Sequence, residues 1–118
     1  MAKYLIKIDY KTKGTKGLMK EGGSARRTAV KQLIEGLGGK LDSFYYAYGD
    51  IDAYAICDLP DASAGIALSL AVNASGAVNI STTPLITPEE IDAAARKVPS
   101  YRAPGEEAPA KGAAKGKK

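Results

Sequence analysis

The chain has 118 residues, 45% of them hydrophobic, which suits one domain around one core. It holds no histidine and a single cysteine, Cys57, so a histidine-held haem, a Ser-His-Asp triad, the usual zinc sites and an internal disulfide are excluded. The net charge of +4 is uneven: residues 11–31 carry +6, residues 32–98 carry −6 and residues 99–118 carry +3, so the basic character belongs to one early segment and the tail.

Lys3 to Tyr10 alternates, with Tyr4, Ile6, Ile8 and Tyr10 on one side and Leu5, Lys7 and Asp9 on the other, and predicts a half-buried strand. Lys11 to Gly23 has four lysines and repeated glycines and reads as a loop. Ser24 is placed to cap a helix whose inner stripe is Ala25, Ala29, Val30, Leu33, Ile34 and Leu37, stopped by Gly38-Gly39.

Leu41 to Asp58 predicts a β-hairpin closed by a two-residue turn at Gly49-Asp50. That turn pairs Tyr48 with Ile51, Tyr46 with Ala53, Phe44 with Ala55 and Asp42 with Cys57. It puts Phe44, Tyr46, Tyr48, Ile51, Ala53, Ala55 and Cys57 on one apolar face. Ser43, Tyr45, Asp52, Tyr54 and Ile56 fall on the other. On this reading Cys57 is a small core residue rather than a nucleophile.

Asp61 caps a second helix, with Ala62, Ile66, Ala67, Leu70, Ala71 and Ala74 as its expected inner side and Gly76 as its end. A strand follows from Ala77 to Ile86, and Pro84 within it points to a sheet edge. Thr87-Pro88-Glu89-Glu90 is a capping box with proline at the first helical position. It opens a short helix to about Val98. Residues 99–118 are rich in Pro, Ala, Gly and Lys and are expected to form a disordered basic tail behind a domain of residues 1–98. No apolar run approaches the roughly 20 residues of a membrane span and no secretory leader is apparent, so a cytoplasmic location is expected.

The order β-α-β-β-α-β plus a terminal helix is the α+β, ferredoxin-like pattern, with an antiparallel sheet ordered 4-1-3-2 and both crossover helices on one face. Tyr45-Tyr46-Ala47-Tyr48-Gly49-Asp50-Ile51-Asp52, followed by Leu59-Pro60-Asp61, resembles the GYD family of small bacterial and archaeal proteins. Its signature is an aromatic strand, then Gly-x-Tyr-Asp, then an apolar strand ending near Pro-Asp. Gly49 and Asp52 match it, whereas Ile51 stands where the family has Tyr. Arg26-Arg27, Gly38-Gly39 and the Gly76 to Thr83 strand extend the resemblance over roughly residues 3 to 92. It implies a ferredoxin-like fold similar to the dimeric α/β-barrel proteins, and carries no settled biochemical activity.

Two helices cover one side of a four-stranded sheet. The other side displays Lys7, Asp9, Tyr45, Asp52 and Tyr54 as candidate ligand-binding residues, with Leu5, Ser43, Ile56, Asn79, Ser81 and Thr83. Packing against a second copy, sheet to sheet, is the expected cover for so phenolic a face. For Asp52 a structural hydrogen bond beside the turn is the stronger reading. Ser24, Arg26 and Arg27 are candidate anion-binding residues at a helix start, although the spacing of a nucleotide-binding Gly-rich loop is missing. The leading expectation is a homo-oligomeric small-ligand-binding or structural module without catalytic residues, metal or cofactor. The alternatives are a cofactor-independent enzyme acting on a small organic substrate in a barrel pocket, and a weak polyanion or nucleic-acid binder acting through the basic loop and tail.

Overall fold

The computed structural model describes residues 1–107 of the chain. They fall into two compact units that meet in sequence at Leu85 and Ile86.

The first unit is a four-stranded antiparallel sheet with three helices. Its strands are β1 (Ala2–Tyr10), β2 (Lys40–Tyr46), β3 (Ala53–Leu59) and β4 (Val78–Leu85), in the order β2-β3-β1-β4. Helices α1 (Thr12–Glu21) and α2 (Gly23–Gly36) join β1 to β2, and α3 (Ala62–Ala74) joins β3 to β4. This is the ferredoxin-like strand order, with β1 and β3 central. The alternation in β1 sorts its side chains as the sequence predicts: Tyr4, Ile6 and Ile8 are buried beneath the helices. Ala53, Ala55, Cys57 and Leu59 of β3 join them, together with Ile34 of α2 and Ala64 and Leu68 of α3. Burial pushes the Cys57 thiol up to about 11, with Asp58 and Asp42 adding to the effect, so it is an inert core group.

The second unit begins at Ile86 and contains α4 (Pro88–Ala95). The capping box closes as expected: Thr87 Oγ1 accepts from the Glu90 N–H at 3.0 Å and the Glu90 carboxylate accepts from the Thr87 N–H at 2.7 Å. The helix ends at Ala95, three residues short of the expected Val98. Residues 99–107 contain no helix or strand, and the remainder of the expected tail lies outside the described residues.

The structure departs from the sequence expectation at five places. The glycine-lysine segment after β1 is a helix, not a loop. Its Gly14 lies against the Ala77 carbonyl, where a Cβ would come within 2.2 Å of the oxygen, so this glycine serves a close approach rather than a turn. Ser24 does not cap α2; Gly22, at φ 93, takes that position, and the Ser24 carbonyl accepts from the Thr28 hydroxyl inside the first turn. The hairpin keeps its predicted register from Tyr46–Ala53 to Ser43–Ile56, but its connection is the six-residue stretch 47–52, closed by the Ala47 N–H on the Asp52 carbonyl at 2.9 Å. Tyr48 is therefore fully exposed rather than packed on the apolar face. A bulge between Leu41 and Ser43 sets Leu41, not Asp42, opposite Cys57. Finally, α3 buries Ala64, Gly65 and Leu68 and leaves Ile66 and Leu70 outside, the reverse of the expected faces.

Candidate functional site

The side of the sheet away from the helices is built by strand register. Tyr45, Tyr54, Lys7 and Ser81 are successive Cα partners, so they form one row across β2, β3, β1 and β4. At the ~4.8 Å spacing of neighbouring strands the row is about 14 Å long. Ser43, Ile56, Leu5 and Thr83 form the next row toward the N-terminal end of β1, and Asp9 faces Asn79 on the opposite flank. Tyr45 is 71% exposed and Tyr54 37%.

Charge on this face is sorted in a way the sequence shows only in part. Lys3 binds Asp42 and, at 3.0 Å, Asp58; these two carboxylates hold its ammonium in the charged form and raise its pKa. The Lys3–Asp58 pairing is legible once β1 and β3 are aligned. The reach of Asp42 is not, because it follows from the bulge that turns this side chain out of the core face. Lys7, four residues on, has no carboxylate within ion-pair distance among the described residues. Its Cα partner on β3 is Tyr54.

The structure therefore brings Lys7, Tyr45 and Tyr54 together, with Asp9 in the adjoining row. Asp52 is held elsewhere. Its N–H donates to the Ile8 carbonyl at 3.0 Å and its carboxylate accepts from the Tyr10 N–H at 2.8 Å. The side chain thus splices the start of β3 to the end of β1. Removing it leaves a partly buried N–H unpaired, so Asp52→Ala is expected to cost about 1–3 kcal/mol of stability. Asp52→Asn, whose amide oxygen still accepts, is expected to retain most of it. Urea midpoints followed by circular dichroism measure both, and equal midpoints for the wild type and Asp52→Ala would contradict the splice.

Ser24, Arg26 and Arg27 lie at the start of α2, on the helical side and away from the open face. Arg26 is 3.5 Å from the Glu21 carboxylate, and with Tyr10 it borders a cleft of about 310 Å³ beside α1. Ser24 and Arg27 border a separate cleft of about 250 Å³ with Gly23, Phe44 and Tyr46. The Tyr46 hydroxyl donates to the Gly23 carbonyl at 3.2 Å. Burial, then a hydrogen bond with Tyr10, pushes that phenol up to about 12, while Arg26 and Arg27 pull the other way. Tyr10 and Tyr46 share the core-facing side of their strands near the same end of the sheet, a proximity that strand alternation makes readable once the register is known.

No helix of the described residues is long and apolar enough to cross a membrane. Among these residues no group of three or more acidic or cysteine side chains is set to hold a metal ion. The family model described as the GYD domain matches residues 4–95. No curated protein and no solved structure matches the chain.

Proposed function

The chain belongs to the GYD domain family, and from that premise we propose that it is a self-associating binding module. In this reading the open sheet face packs on the same face of a second copy and encloses a small organic or anionic ligand. One observation carries it: two tyrosines stand in register on the uncovered side of the sheet, beside a lysine that has no carboxylate within ion-pair distance among the described residues.

A fully buried tyrosine removes about 150–250 Å² from water, and Tyr45 and Tyr54, at 71% and 37% exposure, still offer part of that area in each copy toward the roughly 1,200 Å² that a specific interface needs. Leu5 and Ile56, half-buried in the next row, add apolar area. Lys7 is the anchor for an anionic group, because its counter-ion has to come from outside the chain or from the partner's face. Tyr45 and Tyr54 offer flat rings and hydroxyls to the remainder of the ligand, and Asp9 and Ser81 provide polar contacts at the flanks. Asp52 supports this site from behind by tying β3 to β1.

The test is the mass of the full chain in solution at tens of micromolar, by light scattering after gel filtration. Tyr45→Glu places a charge in the middle of the proposed joint and is expected to halve the mass of the wild-type assembly. An unchanged mass would rule out this interface. Native mass spectrometry of the wild type is expected to show retained ligand mass that Lys7→Met loses without changing the number of chains. Equal retention by both would remove Lys7 from the binding role.

A further inference from the structure

Residues 62–88 contain no charged side chain, in a protein of which 25% is charged. This run builds all of α3 and β4, and the fold sets the two side by side. Ser69 and Thr82 share a hydrogen bond of 3.0 Å, and the Asn73 side chain accepts from the Ile80 N–H at 2.7 Å and donates to its carbonyl at 3.4 Å. The outer surface of α3 and the free edge of β4 therefore form one uncharged flank. Ile66 and Leu70 project from it, 59% and 66% exposed. The two side chains themselves line one side of a groove of about 650 Å³ that Gly65, Ser69, Thr82 and Pro84 also border.

An uncharged helix face that exposes two large aliphatic side chains has the character of a covered surface. We propose that the same flank of a second copy covers it, α3 against α3, independently of the open sheet face. Three features argue for that occupant. The flank offers nothing to a charged partner: a nucleic acid or an ordinary charged protein surface would give up water here without gaining an ion pair. Its own copy is the uncharged surface that is always present at equal concentration.

The second feature is shape. The ridge of Ile66 and Leu70 is one side of the groove itself, so a two-fold axis seats each ridge in the other copy's groove, as a self-complementary joint requires.

The third is the state of the β4 edge. The Asn73 amide occupies both main-chain groups of Ile80, and Pro84 has no N–H to give. Strand addition along β4 is thus obstructed, a device that keeps sheet edges from pairing. What remains for a partner is side-chain packing on α3 and in the groove.

Both joints together build an assembly of more than two chains, and each can be cut separately. Leu70→Glu, at an exposed position, is expected to leave the circular dichroism spectrum and melting temperature of the domain unchanged and to halve the mass of the wild-type assembly. Ile66→Lys is the second variant and is expected to do the same. Combined with Tyr45→Glu, Leu70→Glu is expected to bring the chain down to 12.3 kDa, the mass of one copy. A wild-type mass that neither Leu70→Glu nor Ile66→Lys changes overturns the α3 joint, whatever Tyr45→Glu does. If Tyr45→Glu has no effect while Leu70→Glu halves the mass, the α3 joint holds and the sheet-face reading fails. Flotation of the wild type with neutral phosphatidylcholine vesicles, abolished by Leu70→Glu with no change in mass, would assign the flank to a bilayer surface and also overturn the proposal.

Discussion

Gly39→Ala is expected to destabilise the domain by about 3 kcal/mol, at or above the upper end of the usual cost of forcing an extra methyl into a packed site. A Cβ at this position would lie 2.3 Å from the Asp58 carbonyl oxygen, 2.9 Å from Leu59 Cδ2 and 3.1 Å from Ile34 Cγ2. The first of these is main chain and cannot swing away as a side chain can. The other two belong to fully buried core side chains, Leu59 and Ile34. Gly39 also donates its N–H to the Ile34 carbonyl at 3.0 Å, and the pairing of β2 with β3 begins at the next residue, Lys40 opposite Asp58. Relief of the clash has to lift either the end of α2 or the start of β2. A loss of this size is a large part of the 5–15 kcal/mol by which a domain is usually stable. Gly36→Ala is the control: nothing lies within 4 Å of its Cβ, so it should leave stability unchanged or raise it by up to about 1 kcal/mol. Urea denaturation followed by circular dichroism separates the two, and a Gly39→Ala midpoint equal to that of Gly36→Ala would refute the packing described at this turn. The consequence reaches the site, because β2 carries Tyr45 and a retreat of this strand parts Tyr45 from Tyr54.

What the sequence made legible follows the contrast between neighbouring residues. Strand β1 alternates between apolar and polar side chains, so its two faces, and through pairing those of β3, can be read before any coordinates. Asp61 and the Thr87–Glu90 box announce helix starts through chemistry that few other arrangements explain. The row of Tyr45, Tyr54 and Lys7 was legible for the same reason: an even-numbered shift anywhere in the hairpin leaves these side chains on the open face.

The failures share a cause as well. In α1 the glycines look like breakers until the Ala77 carbonyl is seen against Gly14, a contact between residues 63 apart in the chain. The bulge at Asp42 depends on what Lys3 and Asp58 offer on neighbouring strands. The hold of Asp52 on the Tyr10 N–H has the same long-range origin. In each case the deciding partner is distant in sequence and local propensity is silent about it.

Helix α3 is a different kind of miss, and it leads to the second large effect. Its thirteen residues, Ala62–Ala74, have no charged side chain to mark an outside, so apolar spacing admits more than one inner face. Reading Ile66 and Leu70 as the inner pair fits the spacing; the structure instead seats Leu68 at 3% exposure over the sheet, with Ala64 one turn before it and Val72 one turn after. Leu68→Ala is therefore expected to cost about 2–5 kcal/mol, the range for emptying a leucine from a core. The upper half of that range applies here. Leu68 borders a small void of about 70 Å³ between α2 and α3 that it shares with Val30, Val72 and Ala55, and removing its side chain enlarges this void where small residues cannot close in. Leu70→Ala, two residues on, removes the same atoms from the outside of the helix. Measured by chemical denaturation at a concentration low enough to dissociate any assembly, it should change stability by no more than about 0.5 kcal/mol. Alternative orientations of α3 about its own axis predict opposite rankings for this pair. A larger loss for Leu70→Ala than for Leu68→Ala would mean that the helix is turned the other way, and with it the uncharged flank that Ile66 and Leu70 are taken to present.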